Sequence, residues 1–161
     1  MIWGQRARKP AGDEAVVGLD INATRCRAAV GPAGLPPRAA LLDESSEELP
    51  LALALDRRPA GVGHVALGHR RRSPHLLCSG FLPLLGEPRT WTAGRQKFDA
   101  AAALTAVASA ASDRVGPAKT VYAALPAYLT LPQVQFARAA LESARLPLAG
   151  SCSAPLAAAA A

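Results

Sequence analysis

The strongest constraint on this chain is a strand–helix–strand pattern in its last forty or so residues. Residues 120–125 read as a buried strand. Thr130 followed three residues later by Gln133 is a capping box, with Pro132 in the first turn of the helix it opens. Val134, Ala137, Leu141 and Ala144 then recur at helical spacing. Residues 146–150 read as a short strand, after which Ser153 and Pro155 suit the start of another helix. A strand, a helix and a strand in succession point to an α/β layout.

The first part of the chain reads as strands. Residues 15–19 are an apolar run, β-branched at Val16 and Val17 and bounded by Asp20, which suits a strand buried on both faces. Residues 26–30 form a second strand, ended by Gly31-Pro32 and Gly34. Residues 49–55 and 64–67 are further strand candidates, separated by a turn rich in Pro59, Gly61 and Gly63, and the acidic residues 43–48 read as an exposed loop. Residues 70–115 read as a helical insertion. Its first half, with Leu76, Leu77, Phe81, Leu84 and Leu85, is interrupted by Gly80 and Pro83. Its second half, 98–115, is an Ala-dominated helix with Leu104 and Val107 on one side, stopped by Gly116-Pro117. Residues 1–14 read as a loose leader, and 15–161 as one unit.

A chain of 161 residues, half of them hydrophobic and 19% charged, can build a globular core. Only 4% are aromatic, so that core must be made of Ala, Leu and Val. The formal charge of +6 comes mostly from arginines scattered along the chain, with one dense run at Arg70, Arg71 and Arg72. Without interleaved aromatics or a motif, the run reads as a solvated basic face rather than a nucleic-acid site. Cys26, Cys78 and Cys152 are odd in number and contain no Cys-x-x-Cys pair. His69, His75 and Cys78 lack the second pair that a zinc site needs, so reduced thiols in the cytoplasm are expected. The leader has no apolar stretch behind its basic residues, and no window approaches a membrane span, so no membrane partner is expected.

Chemistry concentrates at Gly18-Leu19-Asp20-Ile21 followed by Asn22-Ala23-Thr24. Two strands joined by a tight turn can aim backbone N–H groups at a phosphate, while an acidic residue at the strand end holds a hydrated metal ion. On these residues alone, a plain β-hairpin with an exposed Asp-Ile-Asn turn is the favoured reading.

The stretch resembles Gly-Ile-Asp-Leu-Gly-Thr-Thr-Asn of the heat-shock protein 70 (DnaK-like) chaperones. Leu125-Pro126-Ala127-Tyr128 resembles that family's Val-Pro-Ala-Tyr-Phe, and Gln133 and Gln135 fall on the two glutamines of its next helix. Pro155, Ala157 and Ala158 keep the register of its Asn-Glu-Pro-Thr-Ala-Ala-Ala segment, and Leu84-Leu85-Gly86 resembles its Leu-Ile-Gly. The matches run in the family's order. They imply the ribonuclease-H-like, actin-like ATPase fold, first lobe only, an incomplete domain that binds ATP or ADP with magnesium. By this resemblance Asp20 links to magnesium through water, and Asn22, Ala23 and Thr24 form the phosphate turn. Asn22 replaces the turn glycine and is expected to tolerate a left-handed backbone.

The departures fall on functional positions. The family's catalytic lysine aligns with Leu82 and its catalytic glutamate with Ala154, neither of which stabilises transition-state charge or positions water. Val134 replaces an arginine between the two glutamines, and Ala23 replaces a hydroxyl. The resemblance therefore implies an N-terminal fragment of a chaperone nucleotide-binding domain with weak or lost hydrolysis. Its partners would be the missing second lobe, and unfolded clients or co-chaperones. Two other readings stand beside it: a non-enzymatic interaction or scaffold domain that kept the fold, and a basic nucleic-acid-binding module.

Overall fold

The computed structural model describes residues 15–160, so the leader at 1–14 lies outside the described residues. The chain order begins with strands β1 (Ala15–Ile21), β2 (Arg25–Pro32), β3 (Arg38–Ala39), β4 (Leu49–Pro50), β5 (Ala52–Ala54) and β6 (Gly61–Val62). Two short helices, α1 (His64–Leu67) and α2 (His69–Arg72), precede β7 (Leu77–Ser79) and the hairpin of β8 (Thr90–Ala93) and β9 (Gln96–Asp99). The long helix α3 (Ala100–Val115) leads to β10 (Thr120–Leu125), α4 (Leu131–Ser143), β11 (Leu148–Ser153) and α5 (Ala154–Ala159).

The main sheet has the order β11-β10-β1-β2-β3, with β4 also paired to β2. β1, β10 and β11 are parallel, while β2 runs antiparallel to β1, so the sheet is mixed. This is an α/β architecture. The parallel pairing of β10 and β11 uses α4 as its crossover, as the strand–helix–strand pattern predicts.

Residues 15–19 do not form a strand buried on both faces. In β1 Ala15, Val17, Leu19 and Ile21 are buried, whereas Gly18 and Asp20 are exposed. The buried face meets Ala103, Leu104, Val107, Ala108 and Ala111 of α3 and Ala137 and Leu141 of α4 in one core. On the other face Tyr122 stands 53% exposed, and its ring lies 3.5 Å from where a Cβ on Gly150 of the neighbouring strand would sit. Small residues bring α3 and α4 close, and the Thr105 hydroxyl bonds the Ala101 carbonyl at 2.9 Å inside its own helix.

Further corrections follow from local chemistry. His64–Leu67 is a helical turn rather than a strand. Gly63, at φ 82, lets the chain bend into it, and Asp43 accepts the His64 N–H at 2.7 Å. Asp43, in the segment read as an exposed loop, is therefore only 14% exposed in its side chain. The insertion at 70–115 forms a long helix only from Ala100. Before it lie short helical turns, β7 and the β8–β9 hairpin, because Gly80, Pro83 and Gly94 repeatedly break any helix. Phe98 belongs to the hairpin, and Asp99 caps α3 by accepting the Ala102 N–H at 2.7 Å. The last strand starts at Leu148, two residues later than the expected 146, and continues to Ser153. Ser153 does precede α5, without a side-chain capping bond.

Candidate functional site

In parallel sheets, ligands gather at the carboxyl ends of the strands. Asp20 is at that end of β1, in register with Ala124 of β10. Leu125 is in register with Ser153 of β11, which Ala154 follows directly. Gln133, in the first turn of α4, donates from Nε2 to the carbonyl of Pro83 at 2.8 Å. A Cβ on Gly86 would sit 2.8 Å from the Phe136 ring. The fold thus brings to one edge Asp20, the turn at 22–24, Ala154, and the Leu84-Leu85-Gly86 segment beside α4.

Gln133 was expected to cap α4, and its carbonyl oxygen accepts the Thr130 N–H at 3.0 Å and the Thr130 hydroxyl at 3.1 Å. Its amide nitrogen does the second job of fastening the 81–86 segment, which nothing in the sequence announces. Gln135, matched to the family in the same way, is exposed.

The turn itself is closed by its own first side chain. Asn22 Oδ1 accepts the N–H of Thr24 at 3.0 Å, the N–H of Arg25 at 3.1 Å and the Thr24 hydroxyl at 3.3 Å. The Asn22 N–H in turn bonds the Arg25 carbonyl at 3.0 Å. Asn22 does not use the left-handed backbone expected of it; among the described non-glycine residues only Glu44 and Arg145 have positive φ. The side-chain oxygen, not the backbone, shapes this turn.

The two arginines beside the turn share one carboxylate. Arg27, in register with Asp20 across β1 and β2, bonds Glu48, and Arg25 meets the same carboxylate at 2.8 Å. The Arg27 hydrogen bond, reinforced by the charges of both arginines, holds the Glu48 carboxyl below its ordinary range. Arg25 Nε is buried with no hydrogen-bond partner among the described residues. Burial pushes the Cys26 thiol up to about 12, and the nearby Asp20 charge adds to the effect. Glu48 is a site residue that sequence reasoning missed; the alternation Arg25-x-Arg27 on one strand face was the only signal for an acidic partner.

Measured against a bound Mg-ATP, the residues present do not fit. The N–H groups of Asn22, Thr24 and Arg25 are bonded within the turn, Ala23 offers no hydroxyl, and Ala154 no carboxylate. Leu82 is fully buried in the main core, so the position matched to the catalytic lysine does not face this edge. Asp20 alone keeps an exposed carboxylate there, with no hydrogen-bond partner among the described residues.

The chain matches no protein-family model and no curated protein. No helix among the described residues is long and apolar enough to cross a membrane.

Proposed function

We propose that this chain is the first lobe of a heat-shock-protein-70-like nucleotide-binding domain of the actin-like ATPase fold. In this reading it has given up ATP hydrolysis and serves as a non-enzymatic interaction module. The order of motifs along the chain supports the lineage, and the closed turn supports the loss. The observation that carries the reading is Asn22 Oδ1 at 3.0 Å and 3.1 Å from the two N–H groups that a phosphate would need. A phosphate would have to displace that oxygen, giving up the two hydrogen bonds it accepts from the Thr24 and Arg25 N–H groups.

Two absences deepen the loss. Without a lysine at Leu82 or a glutamate at Ala154, nothing orients an attacking water or offsets charge on the leaving phosphate. Losing such groups together slows turnover by several orders of magnitude.

Asp20 favours a second reading, residual Mg-ATP binding in an assembly where another lobe completes the cleft. A single-turnover assay of γ-phosphate release separates the two. No release above the buffer rate is expected from the chain. Release that is magnesium-dependent and disappears in Asp20→Ala would overturn the non-enzymatic reading.

A further inference from the structure

Arginine-bearing segments from three parts of the sequence contact one another. Arg57 and Arg58 follow β5, Arg70, Arg71 and Arg72 form most of α2, and Arg95 sits in the turn of the β8–β9 hairpin. Four contacts hold these segments together. His69, the first residue of α2, places Nε2 3.4 Å from Asp56 Oδ2. The Arg58 guanidinium donates to the Arg95 carbonyl at 2.9 Å. Gln96 Nε2 donates to the carbonyls of Leu55 at 2.9 Å and Arg57 at 2.7 Å. All six arginines are exposed; Asp56 is fixed among them, and Arg57 also borders a second cleft that Asp43 and Glu44 line. Asp56, Arg57, Arg58 and Arg95 help line a cleft of about 600 Å³.

We propose that this face binds the phosphate backbone of a nucleic-acid duplex without reading its bases. Read alone, the run at Arg70, Arg71 and Arg72 is a solvated face. Beside Arg57, Arg58 and Arg95, with which its segment is in contact through Asp56, it becomes part of a larger basic region. Guanidinium groups match phosphate oxygens in forked pairs, and their effect on a polyanion is cumulative. α2 carries only His and Arg, and with Val65 and Leu67 of α1 exposed just before it an anionic-vesicle control separates a duplex from a lipid surface. The nearby aromatic is engaged: Trp91 meets Phe81 edge-on at 6.4 Å, and the Arg89 guanidinium lies 5.5 Å from its ring. A single strand would need a free stacking platform, which favours a duplex.

The test is fluorescence anisotropy of a labelled duplex of about two helical turns, titrated with the full chain from about 50 to 200 mM salt. Binding is expected at the low end, with affinity falling linearly in log–log form. Replacing Arg70, Arg71 and Arg72 together with Ala should reduce the slope by about 2–3, at about 0.9 per phosphate contact. A second variant, Arg57→Ala with Arg58→Ala, should reduce it by about 1–2. Arg138→Ala, on α4, should leave it unchanged. No binding at the lowest salt, or unchanged slopes in both arginine variants, overturns the proposal. So does retention on anionic phospholipid vesicles without duplex binding.

Discussion

Asn22 and Arg25 close the β1–β2 turn from both sides. The Asn22 side-chain oxygen accepts the Arg25 N–H at 3.1 Å, and the Arg25 carbonyl accepts the Asn22 N–H at 3.0 Å. In the proposed reading, the Asn22 side-chain oxygen thereby takes the N–H groups of Thr24 and Arg25 that a phosphate could otherwise use. Asn22→Gly should remove that oxygen and release the Thr24 and Arg25 N–H groups, at a stability cost of about 1 kcal/mol. Mg-ATP binding stronger in this variant than in the parent chain, measured by calorimetry, is the expected result. Equal absence of binding in both would mean that the turn's closure is not what blocks the site.

Leu82 gives a sharper test of the alignment. It is fully buried among apolar neighbours, so Leu82→Lys would place a charge in the core. Destabilisation of about 3 kcal/mol or more is expected from urea unfolding. A variant as stable as the parent would show that this side chain faces a cleft, as the family's lysine does.

The two glutamines matched to the family should behave differently. Gln133 bonds Thr130 and Pro83, so Gln133→Ala should cost about 1–2 kcal/mol. Gln135 is exposed, so Gln135→Ala should stay within about 0.5 kcal/mol. Urea midpoints of the two variants make the comparison.

The cysteines set an alkaline limit. Burial pushes Cys26 and Cys78 up to about 12 from 9.0, so in the fold they stay protonated while the unfolded chain ionises. For a pKa raised by folding, the stabilising difference is complete below 9.0 and is lost as pH rises toward about 12. The urea midpoint should fall across that window, and less steeply in a Cys26→Ala, Cys78→Ala double variant. At neutral pH a thiol reagent should label the exposed Cys152 and spare the other two.

Much of the α/β frame was legible because β10 and α4 carry strong local signals. The capping box at Thr130 and Gln133, and Gly116 after α3, mark their ends almost to the residue. The segment from 64 to 99 was not legible, since its elements are three or four residues long and are set by contacts such as Asp43 to His64. Asp20 and its turn were placed correctly on the strand end, but the direction of the Asn22 side chain was not readable. Asparagine serves either a left-handed backbone or a side-chain-bonded turn, and residue type alone does not choose. The convergence of Arg57, Arg70 and Arg95 likewise depends on long-range packing that periodicity does not carry.

The proposed function requires that the turn at 22–24, closed by Asn22, take no nucleotide. Amide NMR spectra of the chain titrated with Mg-ATP test it most directly, through the signals of residues 20–25. Unmoved signals at millimolar nucleotide are the expected result. Saturable shifts at Asp20, Thr24 and Arg25 that vanish in Asp20→Ala would contradict it.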